Sequence, residues 1–544
     1  MFCEFRPVTL LCWGLCTAVI FGMTGACSPE HYKAEADEEV YKIIDSKWHD
    51  SFGQKANYII SDSNIPSSPN DIQIETAIPS SGILSLAQAV AIATANNRRY
   101  QERKEDLYTS ALDLTGVRHN YELQWFATID GAYVNNEESV NDDEFSLDSA
   151  LQIKQDFILA GGIEISTELA MDWARYLTGD PRTTLGSVLT ASITAPLLGA
   201  GAGKQKWENL VLAERNVLYQ IRIFNRYRKT FVVDTVNAYY EVLKQRDAVT
   251  NTENNYKRVL ESKERLEMEA KAGRKTRVDV DEAQQDVLRA QSALVSAQER
   301  YEGLIDNFKL RWLALPTDAD IELDQNELKA LEEVGISKPD YTLDMAIETA
   351  LLRRLDLANT ADSIDDAVRN VVLAADGLGP QLNITTNINY SSPGDPETDF
   401  QNLRFHEGIY NFGFDADLPL DRKAQRNNYR KQLIELEQAQ RTYDEFVDTV
   451  KLNVRDAYRD LQETADRYNI EKNSLKLAEQ RVETNKLLLD AGRVSVRILL
   501  QSEDALLLAQ NAVTAALVDH LDAKLSFFRD VGILQVRPDG MWGQ

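Results

Sequence analysis

The stretch AGRKTRVDV at residues 272–280 recurs later in the chain as AGRVSVRIL at residues 491–499, at an offset of 219 residues. Both copies lie inside a longer gapless match, in which residues 236–308 align with residues 455–527 at the same offset. A match of that length with a shared AGR motif indicates duplication of a structural unit rather than chance similarity of two polar helices.

A second, shorter match lies upstream and relates the segments around Leu86 and Leu343. Its aligned pairs are Leu86/Leu343, Ala89/Ala346 and Ala93/Ala350. We therefore predict two internal structural repeats, preceded by a signal peptide and an extension and followed by a short tail. The predicted boundaries are 1–26 for the signal peptide, 27–82 for the extension, 83–330 and 331–535 for the repeats, and 536–544 for the tail.

Each repeat is predicted to contain a helix, strands, a very long helix, a glycine turn and a second helix. The long helix of repeat 1 is expected at Lys204–Lys271, about 100 Å in length at 1.5 Å per residue, and the returning helix at 276–315. Repeat 2 is expected to repeat the hairpin at 421–490 and 495–530. A seven-residue stripe with two polar interruptions predicts helices that pack nearly parallel over a long distance. The stripe comprises Leu210, Val217, Phe224, Phe231, Ala238, Gln245, Thr252, Val259 and Leu266.

Between the helices lie segments in which apolar and polar residues alternate. In 381–390, for example, Leu382, Ile384 and Ile388 alternate with asparagine, glutamine and threonine. Each segment is about ten residues long, which suits a tilted transmembrane strand. A soluble sheet on a core also produces alternation, but the aromatic strand ends and the polar, acidic loops favour a membrane β-barrel. The six predicted strands are 125–134, 147–157, 163–173, 187–195, 381–390 and 409–418.

The N-terminus has the layout of a secretion signal. An apolar run from Val8 to Gly22 is followed by small residues that end at Cys27, as in a signal peptide with its cleavage site. A cysteine in this position predicts lipidation of Cys27, although an ordinary cleaved signal with an incidental cysteine is the alternative. The other cysteines lie inside the signal, so we expect no disulfide to stabilise the mature chain.

Composition excludes some functions. The chain carries 59 basic and 86 acidic residues, a net charge of −27, so we do not expect it to bind nucleic acid through a phosphate-neutralising surface. The five histidines show no metal-ligand spacing, and we expect neither an enzyme nor a bound cofactor or metal. The histidines are His31, His49, His119, His406 and His520.

The repeat, the two hairpin tips and the strand-to-helix junctions SITAPLLGAGAGKQ (192–205) and FDADLPLDRKAQ (414–425) together resemble the TolC-type outer-membrane factors, the exit ducts of bacterial efflux and type I secretion. The resemblance implies an α+β membrane protein in which a transmembrane antiparallel β-barrel, shared by a homotrimer, continues into a long periplasmic α-helical barrel. It also implies outer-membrane lipid around the barrel and two protein partners, a periplasmic adaptor (membrane fusion protein) and an inner-membrane pump.

The sequence departs from this family in two ways. Repeat 1 offers four strand candidates where two are usual, so a trimer would have 18 strands if all enter the barrel and 12 otherwise; the sequence leaves this open. The family also often closes its periplasmic aperture with acids six and nine residues after the second tip glycine. Those positions hold Ile498 and Gln501, whereas Asp279 and Glu282 occupy the matching positions of repeat 1.

Two sets of residues are predicted to carry function. The tips are expected to contact the adaptor through small residues and guanidinium groups: Ala272, Gly273, Arg274, Arg277, Ala491, Gly492, Arg493 and Arg497. Acids on the polar strand faces are expected to line a water-filled lumen and to favour cations there: Glu164, Glu168, Asp172, Asp415 and Asp417, together with Asp130 and Asp156.

These observations predict a passive exit duct for small molecules. We expect it to lie in the bacterial outer membrane, where a lipid anchors it, and to extend into the periplasm. Two alternatives remain. One is the outlet of a type I protein secretion system, and the other is a non-conducting periplasmic coiled-coil scaffold with a soluble β-domain.

Overall fold

The computed structural model describes residues 29–49, 52–53, 55, 57–60, 82–136, 144–159, 163–176, 183–198, 202–336, 341–391, 406–418, 420–537 and 542–543. The predicted signal peptide, Cys27 and residues 61–81 of the predicted extension lie outside these residues.

The described residues form ten α-helices and ten strands. The helices are α1 (Pro29–Lys47), α2 (Leu86–Asn96), α3 (Arg98–His119), α4 (Ala202–Lys271), α5 (Arg277–Phe308), α6 (Asn326–Val334), α7 (Leu343–Arg353), α8 (Leu355–Asp376), α9 (Lys423–Asp490) and α10 (Val496–Val531). The strands are β1 (Ile83–Leu84), β2 (Gln124–Asn136), β3 (Glu144–Leu159), β4 (Ile163–Tyr176), β5 (Thr183–Leu198), β6 (Glu322–Leu323), β7 (Gln381–Ser391), β8 (Ile409–Asp417), β9 (Gln535–Val536) and β10 (Trp542–Gly543).

The chain divides into two compact units. The first contains Met1–Lys47, Leu107–Ile221 and Ala361–Arg441, and the second contains Trp48–Asp106, Arg222–Thr360 and Thr442–Gln544. The large sheet belongs to the first unit and both hairpin tips belong to the second. Among the described residues, every helix is too polar or too short to span a lipid bilayer.

One six-stranded sheet dominates the first unit. Its strand order is β2-β3-β4-β5-β7-β8, and every neighbouring pair is antiparallel. All four candidate strands of repeat 1 therefore enter the same sheet as the two strands of repeat 2. The four strands of repeat 1 and β7 are longer than predicted, because pairing continues past the alternating core of each segment, whereas β8 ends at Asp417, one residue before the predicted end.

The register gives this sheet two different faces. Directly paired residues lie on the same face of an antiparallel sheet. One row therefore carries Ile165, Ile193, Thr386 and Phe412. The adjacent row on the opposite face joins polar residues of the same four strands: Ser166, Ser192, Asn387 and Asn411.

The N-terminal helix α1 packs within the first unit. Its residues Val40, Ile43 and Ile44 are buried, and the Nζ atom of Lys47 lies 2.5 Å from Glu214 in α4. The Tyr108 hydroxyl donates a 2.7 Å hydrogen bond to Asp37. The first part of the predicted extension at 27–82 is therefore helical, from Pro29 to Lys47.

In the second unit most of the seven-residue stripe of α4 is buried, and Ala238 and Gln245 are half-buried. Phe224, Phe231, Val259 and Leu266 are each 4% exposed or less. The polar interruption at Gln245 donates to the backbone oxygen of Ala297 in α5 at 3.1 Å. That polar residue therefore ties the two helices of the hairpin together, because its amide satisfies a backbone group of the partner helix.

The second hairpin packs in a similar manner. α7, α9 and α10 share a cluster of buried apolar residues, whose members are Ala346, Ala350, Val450, Val454, Ala457, Leu461, Ala523, Phe527 and Val531. The returning helix of the first hairpin ends earlier than the predicted 315. α5 stops at Phe308 and continues as a π-helical turn at Lys309–Leu313, after which Ala314 adopts a positive φ of 51°.

Candidate functional site: the hairpin tips and the polar face of the sheet

Both hairpins reverse through the same backbone motif. The Gly273 N–H donates to the oxygen of Ala270 and the Arg274 N–H to the oxygen of Glu269, and the corresponding donors at the second tip are Gly492 and Arg493. The two glycines have φ values of +73° and +71°. This is a Schellman helix end, which requires a left-handed residue at the reversal. The glycine of the AGR motif is therefore a backbone requirement of both tips.

The helix that follows the first tip begins with a reciprocal cap. Asp279 donates its backbone N–H to Thr276 Oγ1 at 3.2 Å and accepts the Thr276 N–H at 3.0 Å. The Thr276 hydroxyl, which donates to the Asp279 carboxylate at 2.8 Å, lowers the pKa of Asp279, and the Thr276 N–H lowers it further. Asp279, predicted at the aperture, therefore has a capping role in the structure. The matching residue Ile498 has no such group, and Ser495 at that helix start makes no side-chain cap.

The other predicted aperture acid forms an ion pair. Arg497 Nε lies 2.8 Å from Glu282 Oε1, so a residue of the second tip is paired with a residue of α5. Glu282 accordingly raises the pKa of Arg497. The side chain of Arg497 is still 68% exposed. The remaining predicted tip residues are also exposed: Ala272, Gly273, Arg274, Arg277, Ala491, Gly492 and Arg493. Gln501, the fourth predicted aperture residue, is exposed as well.

Behind the tips, helices of both hairpins share one apolar cluster. Its buried members come from α4, α5 and α10, and Leu489 of α9 packs against them. The buried members are Val259, Leu266, Ala283, Val287, Val496 and Leu500. The cluster holds the two tips side by side, because burial of apolar surface favours the packed arrangement.

Deeper in the same region lies a buried ion pair that the sequence analysis did not predict. Arg258 Nε is 2.5 Å from Glu503 Oε2, and the Glu503 side chain is only 7% exposed. The pair joins α4 to α10. An indication was present in the sequence: Glu503 lies three and four residues from Leu500, Leu499 and Leu506, which places it on the buried face of its helix.

A groove of about 280 Å³ runs beside this pair, lined by α4, α5 and α10. Asp286 lies in it, 2.8 Å from Arg289. Burial raises the pKa of Asp286, the nearby Arg289 lowers it in part, and Asp504 raises it further. The groove therefore combines two carboxylates with apolar walls. In the described part of the chain, no group of three or more His, Cys, Asp or Glu side chains is arranged to hold a metal ion.

The predicted lumen acids share one face of the sheet. Glu164 is paired through Thr194 and Thr385 to Gly413, and Asp415 and Asp417 follow Gly413 at alternate positions of β8. Asp415 and Asp417 are exposed. Glu168 belongs to the same face, where it lies opposite Lys154. The remaining members are placed there by backbone register alone: Asp130, Asp156 and Asp172.

Comparison with known proteins gives one family and a set of similar folds. Residues 346–527 match the outer membrane efflux protein family, and no curated protein matches the sequence significantly. The structure resembles the CmeC outer membrane channel of Campylobacter jejuni at 13% identity, covering 82% of this chain and 85% of that one with a TM-score of 0.60.

Two further solved structures are similar over the same share of this chain, 82%. One is the outer membrane protein VceC of Vibrio cholerae, at 14% identity, 96% coverage of that chain and a TM-score of 0.59. The other is the open state of the MtrE outer membrane channel of Neisseria gonorrhoeae, at 13% identity, 88% coverage and a TM-score of 0.59. The resemblance inferred from the sequence motifs is confirmed, and the chain shares the fold of these channels.

Proposed function

We propose that this chain, which resembles the TolC-like outer membrane efflux proteins, is one protomer of a trimeric exit duct that opens through the bacterial outer membrane. The observation that carries the proposal is the six-stranded sheet, with one apolar and one polar face, in a single antiparallel series. The duct is passive, and the energy for export comes from a partner pump.

The edges of the sheet support assembly from several copies. Within the described residues, β2 and β8 each pair with only one neighbour. A strand edge in hydrocarbon leaves N–H and C=O groups without partners, which costs several kcal/mol per group, so membrane sheets close into barrels. Pairing β8 of one copy with β2 of the next satisfies both edges. Three copies then form an 18-stranded barrel.

The exposed aromatic residues of β8 support contact with lipid. Phe412 and Phe414 are 78% and 79% exposed and share the apolar face. In water, each large aromatic side chain left exposed forfeits about 1.5–3 kcal/mol of burial free energy. A soluble scaffold would leave this apolar face in water, whereas a membrane barrel places it against acyl chains.

The polar face is assigned to the lumen, where its carboxylates raise the local concentration of cations. We expect the purified protein to insert into planar lipid bilayers and give stepwise, cation-selective conductance. Recordings under a salt gradient measure the sign of the reversal potential. An anion-selective potential would refute the lumen assignment, and the absence of any conductance would refute the duct in favour of the non-conducting scaffold.

We assign the exposed hairpin tips to contact with a periplasmic adaptor, which connects the duct to an inner-membrane pump. Arg274, Arg277 and Arg493 present guanidinium groups there, and these groups bind carboxylates through paired hydrogen bonds. Closure of the duct involves the same region. Asp279 is held by the Thr276 cap and Glu282 by Arg497, so both acids of repeat 1 are engaged within the chain. Repeat 2 contributes Ile498 and Gln501 and therefore no acid.

For the cargo, we favour small molecules over secreted proteins, since the matched family is described as efflux proteins. A type I protein secretion outlet is the second candidate. We further propose that residues 1–26 are removed as a signal peptide and that a lipid on Cys27 anchors the extension at 27–82 to the outer membrane. The extension is followed by the repeats at 83–330 and 331–535 and by residues 536–544.

A further inference from the structure

The first residues of α9 form a dense basic segment in an acidic chain. Between Asp421 and Lys431 there are five cations and one acid, in a protein whose net charge is −27. All five cations are exposed: Arg422, Lys423, Arg426, Arg430 and Lys431. We call residues 421–431 the basic collar segment.

The position of this segment is set by the sheet. β8 ends at Asp417, and its apolar face continues to Leu418, which is 65% exposed. Leu420 follows and is 100% exposed. Fully exposed leucine directly before a row of cations is the arrangement in which an apolar side chain enters a membrane while charged groups stay at its surface.

Several of these cations lie close together. Arg426 and Arg430 are four residues apart on one face of α9, and Arg422 directly precedes the first residue of that helix. Arg422, Lys423 and Arg426 also line a concavity of about 710 Å³ together with Leu378 and Asp421. The helix N-terminus adds positive potential at the same place. The whole surface is therefore complementary to clustered negative charge.

The matching junction of repeat 1 shows that this charge is not a general property of such helix starts. There, Lys204 lies 2.5 Å from Asp376, and Glu208 lies 3.3 Å from Arg369. One basic group at the start of α4, Lys204, is thus paired with an acid of the chain. In the basic collar segment Lys431 lies 3.5 Å from Glu435, but five cations stand against one acid over residues 421–431, and this local excess is complementary to a negative partner.

We propose that the basic collar segment, with Leu420, is a docking surface for anionic phospholipid headgroups of the membrane leaflet in which β8 ends. This inference rests on the proposed function, because it requires β8 to face lipid. The phosphates bind Arg422, Lys423, Arg426 and Arg430, and Leu420 enters the acyl region. The surface sets the depth of the sheet in the membrane and gives the protein a preference for acidic lipid.

The test compares how strongly the purified full-length protein, in a neutral detergent, retains two different lipids. Native mass spectrometry measures the lipid retained from an equimolar mixture of phosphatidylglycerol and phosphatidylcholine. A cation near an anionic membrane surface strengthens binding about fivefold, so we expect the wild type to prefer phosphatidylglycerol by at least about tenfold. The variant R422Q/K423Q/R426Q/R430Q should lose most of this preference.

A matched variant removes the same charge elsewhere. K271Q/R274Q/K275Q/R277Q neutralises four cations at the first hairpin tip, all of them at least partly exposed, and should retain the wild-type preference. If both variants lose the preference for phosphatidylglycerol equally, the inference is overturned, because the net charge of the protein alone would then explain the preference. Displacement of phosphatidylglycerol by millimolar inorganic phosphate would also overturn it, since the surface would then be a site for soluble anions.

Conductance separates this inference from the proposed function. The collar variant should conduct like the wild type in neutral bilayers. If the wild type conducts but shows no preference for phosphatidylglycerol, only the lipid surface is refuted. If the wild type neither inserts nor conducts, the proposed duct itself is refuted.

Discussion

Replacing Arg258 with alanine is expected to destabilise the region behind the hairpin tips by about 3 kcal/mol. The substitution leaves Glu503, whose side chain is 7% exposed, without its cation. An ionised carboxylate left unpaired in a buried site costs more than the ion pair contributes, because its desolvation is no longer offset. Denaturant titration in detergent, monitored by helical circular dichroism, measures the change.

Two further variants test this explanation. Arg265→Ala removes the exposed pair with Asp490, whose side chains are 45% and 53% exposed, and should cost less than about 1 kcal/mol. The double variant R258A/E503Q should recover part of the loss, because a neutral amide is cheaper to bury than a charge. If R258A and R265A have the same effect, the buried pair does not hold the two hairpins together.

The second large effect concerns insertion into the membrane. Phe412→Arg places a charge on the apolar face of β8, which costs about 2–4 kcal/mol per chain near the bilayer midplane. Every copy in a trimer carries the substitution, so we expect F412R to abolish stable insertion into lipid vesicles. Flotation of the refolded protein with liposomes on a density gradient measures the inserted fraction.

The neighbouring residue provides the control. Asn411→Arg adds the same side chain one position earlier in the same strand, where the alternation places it on the polar face. We expect N411R to insert like the wild type and to weaken the cation preference of the conductance. Equal loss of insertion in both variants would contradict the assignment of the two faces.

Much of the fold could be predicted because it depends on local periodicity. All six alternating segments became strands of one sheet, and the long helices end within two residues of the predicted Lys271 and 490. The AGR motif was sufficient to place both reversals, since a left-handed residue is needed there whatever surrounds it. Alternation alone could not decide how many strands of repeat 1 join the sheet, because strand pairing is a long-range property.

The side-chain interactions at the hairpin tips were harder to predict from the sequence. Glu282 and Arg497 are far apart in the chain, and no local pattern indicates that they pair. Asp279 was placed at the aperture by family resemblance, whereas the TRVD sequence beginning at Thr276 already contains a polar residue three positions after a threonine, the spacing of a reciprocal cap. The cap is compatible with a place at the aperture, which stays a prediction.

Cross-linking between copies tests most directly whether the sheet closes with other chains. Asn411→Cys in β8 is combined with a single cysteine scanned along residues 126–134 of β2, in a chain whose Cys27 is replaced by serine. For at least one position, oxidation of the lipid-embedded protein should yield covalent species of two and three chains and none larger. Exclusively monomeric species at every position, or a ladder that continues beyond three, would contradict a barrel built by three copies.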